Sequence, residues 1–204
     1  QQLANGWRGQ LSIAVDRIAK PQRTRQLVKD FYRHFPDMEL IISYGVCNGG
    51  WDALADGRVE VAIGATQAIP VGGRFAFRDM GTLNWRCVVA PDHPLTQANQ
   101  IDDDTLRSWP SLVLEDTSRA LPRRMTWTLA NQRRLVVPEW QPGLACVQAG
   151  FGVAMGPGPM ARPRPDSGQL VQRTLPVDVP ESPRFARGAD SPAPTAHRWV
   201  RKSV

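Results

Sequence analysis

The chain has 204 residues, 42% of them hydrophobic, which is enough for one large domain or two small ones with buried cores. No apolar run approaches the roughly 20 residues of a membrane span, and the amino terminus QQLANGWRGQ lacks the apolar stretch of a secretory signal. The net charge is +6, but the base is nearly all scattered arginine, with lysine only at Lys20, Lys29 and Lys202, so no concentrated basic face for nucleic acid is written into it.

Residues 11–15 (LSIAV) form a short apolar run that predicts a buried strand. Pro21 suits the first turn of a helix, where its missing N–H costs nothing. Leu27, Val28, Phe31, Tyr32 and Phe35 then mark one helix face, and Pro36 with Asp37 ends it. Residues 38–44 (MELIISY) predict a second strand. A helix through Trp51 stops at Gly57, whose freedom to adopt a left-handed backbone fits the position after a helix C-cap. Val59, Val61 and Ile63 alternate with Glu60 and Ala62, a third strand. Gly64, Ala65 and Thr66 follow it with little side chain, which reads as open space at a strand's carboxyl end. In open α/β sheets that end is where ligands bind. The β-α-β-α-β order points to a parallel sheet with right-handed crossovers.

A second unit starts near Trp85. Residues 85–90 read as a strand, 91–95 (PDHPL) as a turn, and 101–109 as a helix opening on Asp102, Asp103 and Asp104. Three carboxylates in a first turn complement the helix dipole, the reading set against a metal site. A strand is expected at 111–115, a helix at 121–129, an extended piece at 135–137, a small-residue helix at 143–150 and a strand at 152–156. The Pro- and Gly-rich stretch 158–168 reads as a connection, and 170–175 as a strand returning to the first unit. A final helix is expected from Ser191 and Pro192.

The chemistry of common enzyme motifs is missing. His34, His93 and His197 pair with no Cys, Asp or Glu at metal-ligand spacing. His34 reads as a cation at a helix end, and His93 as part of a turn whose geometry Asp92 and Pro94 set. No G-x-S-x-G, P-loop or G-x-G-x-x-G occurs. The expectation is therefore no catalytic residue, no metal and no cofactor. Cys47, Cys87 and Cys146 are an odd number at no ligand spacing, which fits a reducing compartment and a cytoplasmic location.

What remains is a set of connections that follow strands. In the first unit these supply Asp16, Arg17, Ile18 and Ala19, then Cys47 and Asn48, then Gly64, Ala65 and Thr66. Trp51 is either a wall of this site or a core anchor of its helix. In the second unit Glu115, Asp116 and Thr117 follow a strand, and Gln141 precedes the helix expected at 143. A ligand closed between two such units is the hinge-closure geometry of binding proteins.

These pieces also carry a resemblance. WRGQLSIAV, a helix ending in HFPDMEL, WDALADGRVEVAIG, the VVAPDHPL turn and AGFGVAMGP, in this order over about residues 6–178, resemble the effector-binding domain of LysR-type transcriptional regulators. YGVCNGGWDALADG, GTLNWRCVVAPDHPL and RRMTWTLANQRRLVVP are most similar to the activator of the allantoin-utilisation regulon and its purine-related cousins. The resemblance implies an α/β fold of two Rossmann-like subdomains joined by two crossovers, like type 2 periplasmic binding proteins. On this chain they fall at 1–84 plus 170–204 and at 85–169. It implies a small-molecule inducer between them, purine-, ureide- or small-acid-related, held by the connections just named. It also implies contact with DNA only through an amino-terminal winged helix-turn-helix absent from this stretch, no membrane, and a homodimer or homotetramer. The sequence departs from the family where AGFGVAMGP runs into Gly158, Pro159, Pro163 and Pro165 instead of a helix, and where the tail lacks an amphipathic helix. Three other readings stay open: a periplasmic solute-binding protein, an enzyme using Cys47, and a redox switch pairing Cys47 with a cysteine within about 7 Å.

Overall fold

The computed structural model describes residues 9–72, 74–157, 170–173, 180–181, 184–188 and 200. The chain divides into two compact units, Gln1–Gly81 with Thr117–Arg123 and Ser182–Val204, and Thr82–Asp116 with Arg124–Glu181.

The first unit contains β1 (Gln10–Asp16), α1 (Pro21–His34), β2 (Glu39–Gly45), α2 (Gly49–Ala55), β3 (Val61–Ala65) and β4 (Phe75–Asp79). β11 (Arg184–Gly188) completes it. Among the described residues the sheet order is β2-β1-β3-β11-β4. β1, β2 and β3 are parallel, and β11 runs antiparallel to both neighbours. β1 and β3 lie inside the sheet and are buried on both faces, which is why β1 reads as an apolar run. β2 is an edge strand and alternates, leaving Ile41 exposed.

The two faces of this sheet receive different residues. Leu11, Ile13, Val15, Val61 and Ile63 pack against Leu27 and Phe31 of α1, with Val200 in the same cluster. Of the expected helix stripe only Leu27 and Phe31 are buried, and Tyr32 faces outward. On the other face Ala14, Ala62, Ala65 and Ala186 pack with Trp51, Ala53, Leu54 and Val59. Small residues there accommodate a fully buried indole. Burying a large apolar side chain contributes about 1.5–3 kcal/mol, so Trp51, Leu27 and Phe31 anchor their helices.

α2 ends as Gly57 predicts. Its φ is 68°, its N–H donates to the Leu54 carbonyl, and the Arg58 N–H reaches back to Ala53. The strand after it starts later than expected, at Val61, because Arg58 and Val59 still donate to Ala53. Gly64 and Ala65 lie within β3 and not beyond it.

The second unit holds β5 (Leu83–Val89), a 3₁₀ turn (Pro94–Thr96), α3 (Asp103–Arg107), β6 (Ser111–Leu114), β7 (Arg134–Val137), α4 (Trp140–Gln148), β8 (Val153–Pro157), β9 (Val171–Arg173) and β10 (Pro180–Glu181). Among the described residues the sheet runs β10-β5-β8-β6-β7, with β9 also paired to β5. β6, β7 and β8 are parallel, and β5 is antiparallel to β8. The buried positions of α4, Trp140, Gly143, Leu144 and Val147, face this sheet at helical spacing. Gly143 is required there, because a Cβ would stand 2.6 Å from Leu112 Cδ1.

Four expectations change in this unit. The acidic run does open a helix, with Asp102 Oδ1 accepting the Thr105 N–H at 2.8 Å, but the helix is confined to Asp103–Arg107. No helix forms over 121–129. Its backbone is held otherwise: Asp52 takes the N–H of Leu121, Asp116 that of Arg124, and Met125 forms an extended bridge with Glu115. α4 begins at Trp140, three residues earlier than expected, with Pro142 inside the first turn where no N–H is needed. Residues 171–173 pair with β5 and so extend the second sheet instead of returning to the first; the second unit runs on to Glu181. The proline-rich 158–168 connection and the helix expected from Ser191 lie outside the described residues.

Candidate functional site

Parallel pairing brings the carboxyl ends of β1, β2 and β3 to one edge of the first sheet, with Asp16 opposite Gly45 and Val15 opposite Ile63. The turn after β1 is built by its own polar groups. Asp16 is buried; its Oδ1 accepts the Ile18 N–H at 2.9 Å, and its carbonyl accepts that of Ala19. This holds the chain until Lys20, the extended N-cap of α1. The Arg17 N–H donates to the Gly45 carbonyl at 3.0 Å, and its guanidinium lies 4.2 Å above the Tyr44 ring.

After β2 the chain turns into α2 through Cys47, a non-glycine residue at φ 52°. Such a backbone costs about 1–3 kcal/mol and persists only where surroundings fix it. They do so here. The Val46 N–H donates to Thr117 Oγ1 at 3.0 Å and the Val46 carbonyl accepts the Thr117 N–H at 3.4 Å. Asn48 Nδ2 donates to the Pro122 carbonyl at 2.9 Å. A side chain on Gly49 would run into Thr117. The segment Thr117–Arg123 is thus stitched to the start of α2 inside the first unit.

Trp51 is a core anchor, not a wall. It is fully buried, its ring lies 5.2 Å from that of Phe75, and its Nε1 donates to the Thr66 carbonyl at 2.9 Å. Gly64 does not leave open space either. At φ 85° its ideal Cβ would stand 2.9 Å from Asp16 Cβ. The glycine lets β3 pass close to the Asp16 turn. Thr66 differs from its neighbours: its Oγ1 is buried and has no hydrogen-bond partner among the described residues.

Sequence reading passed over Asp52, next to Trp51. Its side chain is 1% exposed and accepts the N–H groups of Leu121 at 2.8 Å, Ala120 at 2.9 Å and Arg119 at 3.0 Å, with Arg58 beside it as an ion pair. Burial alone would raise its pKa. The three backbone donors and Arg58 outweigh that and hold the carboxyl below the usual range. The available signal was an acid set among the apolar residues of W-D-A-L-A, a position that burial makes costly unless paired.

The remaining expected residues belong to the second unit. Glu115 is exposed and bridges Met125 through its main chain. Asp116 is buried and its Oδ2 accepts the Arg124 N–H at 2.8 Å. Gln141 is exposed within the first turn of α4 instead of ahead of the helix. The structure therefore gathers Asp16, Arg17, Ile18, Ala19, Cys47, Asn48, Gly64, Ala65, Thr66 and Thr117 around one sheet edge, with Trp51 behind them. Most of the polar groups there already hydrogen-bond to backbone. That suits a preformed binding surface better than a reactive centre. Among the described residues no group of three His, Cys, Asp or Glu is placed to hold a metal ion, and no helix is long and apolar enough to cross a membrane.

The model of the LysR substrate binding domain family matches residues 4–204. The HTH-type transcriptional regulator PunR of Escherichia coli K12 is 59% identical over 183 residues, covering 89% of this chain and 59% of that protein. The HTH-type transcriptional activator AllS of Salmonella typhimurium is 30% identical over 185 residues, covering 90% of this chain and 60% of that protein. The chain thus spans about three-fifths of the length of these relatives, which are transcriptional regulators and not enzymes. Among solved structures, a regulatory domain of OxyR from Pseudomonas aeruginosa superposes with a TM-score of 0.69 at 17% identity, covering 96% of both chains. The carboxyl-terminal domain of a probable LysR family regulator from Rhodococcus does so at 0.71 and 15%, covering 97% of this chain and 99% of that one. The fold is the type 2 periplasmic-binding-protein-like fold of LysR regulatory domains.

Proposed function

Since the chain belongs to the LysR substrate binding domain family, we propose that it is the effector-binding part of a LysR-type transcriptional regulator that senses a purine-, ureide- or small-acid-related metabolite. Support comes chiefly from the family match along nearly the whole chain. In the first unit the effector contacts the turns after β1 and β2 and the end of β3. There Thr66 Oγ1 stands ready to donate or accept. DNA is contacted by a winged helix-turn-helix elsewhere in a longer protein, which works as a homodimer or homotetramer in the cytoplasm. A periplasmic solute-binding role is not favoured by the two relatives named above, both of them transcriptional regulators.

An effector can bias the regulator only by its differential affinity for two states, about 1.4 kcal/mol per tenfold. Thermal denaturation with allantoin, its ureido breakdown products, purine bases, purine nucleosides and glyoxylate tests the chemistry. A ligand at a hundred times its Kd adds about 2.7 kcal/mol of stability. If none raises the melting temperature, the purine-related reading fails. Thr66→Val tests the site. It removes a hydroxyl that has no partner, so the free chain keeps its stability while effector affinity falls.

A further inference from the structure

Two buried tryptophans in the second unit lack the partner that buried indoles ordinarily have. Trp85, in β5, and Trp140, the first residue of α4, are 6% and 4% exposed. Neither Nε1 has a hydrogen-bond partner among the described residues. Their ring centroids are 6.4 Å apart with planes inclined at 60°, so the two indoles form one neighbourhood. A buried N–H left unpaired costs about 1–3 kcal/mol, and indole N–H groups usually find an acceptor. Two such donors on neighbouring rings are each open to an acceptor from outside the chain.

Topology says where they stand. β5 is antiparallel to β8 and pairs Trp85 with Pro157, so Trp85 lies beside the carboxyl end of β8. α4 follows β7, so Trp140 opens its helix at the carboxyl ends of the parallel strands β6, β7 and β8. The carboxyl edge of a parallel sheet is the ligand-binding edge of α/β folds. Gly156 sits under the Trp140 ring; a Cβ there would reach within 3.5 Å of it, so the glycine seats the indole. α4 also starts without a side-chain cap, so its positive end adds to a surface that offers donors. Indole nitrogen can only donate.

We propose that Trp85 Nε1 and Trp140 Nε1 together bind one oxygen acceptor of a small molecule, a carboxylate or a neutral carbonyl such as an amide or ureide. This deepens the effector reading and rests on it: the second unit recognises the effector through an oxygen with lone pairs. Two donors on rigid aromatic side chains fix the acceptor's direction with little entropy to lose.

The indole N–H resonances of the chain labelled with nitrogen-15, assigned with Trp85→Phe and Trp140→Phe, test this directly. Acetate, acetamide and allantoin are titrated into the millimolar range, the first two being alike in size but differing in charge and in one oxygen replaced by an amide NH2. At least one probe moves both resonances downfield together with a single saturating dependence, and acetate against acetamide tells carboxylate from carbonyl. Each Phe variant weakens the response of the remaining indole by roughly tenfold, the loss of one hydrogen bond. Unchanged resonances of Trp51 and Trp109 certify the variant's fold. If no probe moves the pair, or only one of the two responds, the inference is overturned, and the donors are satisfied by water or by each other's rings. A compound that raises the melting temperature and leaves both resonances in place overturns this inference alone. If acetate or acetamide moves both and no purine-related compound stabilises the chain, the indole site stands and the purine-related reading falls.

Discussion

The Asp52 carboxylate and the Leu121 N–H lie 2.8 Å apart across 69 residues of sequence. With Ala120 and Arg119 adding their N–H groups, Asp52 fills the place that a bound anion takes in a backbone nest. The first unit thereby holds Thr117–Arg123 with a charge of its own.

Removing that charge leaves three donors unpaired. Asp52→Ala should cost about 2–4 kcal/mol, and Asp52→Asn, which keeps one acceptor oxygen, roughly half as much. Urea unfolding at neutral pH measures both. The folded pKa lies below the unfolded one, so the contribution is complete above about pH 4 and is lost as pH falls through the folded value. The Asn variant should flatten the acid limb of stability against pH. An unchanged limb would show that Asp52 is not the group whose protonation drives acid unfolding.

His93 titrates with the opposite chemistry and the same direction. It is buried against Trp109, ring centroids 4.3 Å apart, and its Nδ1 accepts the Leu95 N–H at 3.2 Å. Burial lowers its pKa, and Asp92 only partly offsets this. The unfolded chain therefore binds the proton more readily. Stability should be level above the unfolded value of about 6.5 and decline as pH falls from there through the folded value. His93→Asn keeps an acceptor for Leu95 and should erase that decline in a series of urea midpoints, though it lowers stability throughout by losing the ring.

Gly64→Ala combines strain at φ 85° with a Cβ 2.9 Å from that of Asp16. A loss of about 2–3 kcal/mol is expected, read as a lower melting temperature. A cost below about 0.5 kcal/mol would mean that β3 and the Asp16 turn can move apart freely.

The three thiols should separate under alkylation. Cys87 is fully buried, and desolvation, only partly offset by Arg173, raises its pKa to about 12. Cys146 is exposed. Iodoacetamide followed by peptide mass analysis should modify Cys146 first and Cys87 only after unfolding.

What could be read from the sequence was local. β1, α1 and β2 carry their periodicities openly, and Gly57 marks the end of α2 because a left-handed residue is needed there. The 121–129 helix was expected from its own residues, but contacts outside it decide its backbone: the far Asp52, the nearby Asp116 and a bridge from Met125 to Glu115. The same limit applies to the sheet edge. Gly64 read as room, yet it is small because Asp16 presses against it. Trp51 could be narrowed to wall or anchor, and only the alanines of β1, β3 and β11 show the bed made for it.

Thr117–Arg123 has both of its covalent neighbours in the second unit and its hydrogen bonds in the first. A ribosome releasing this chain amino terminus first completes residues 9–81 with the Asp52 carboxylate paired to Arg58 but still without its three backbone donors. Its donors emerge only some tens of residues later, a matter of seconds at about 5–20 residues per second. The first unit therefore waits for the chain to enter the second and come back. A cut at Gly81 would separate the two stretches of sequence without yielding a finished first unit.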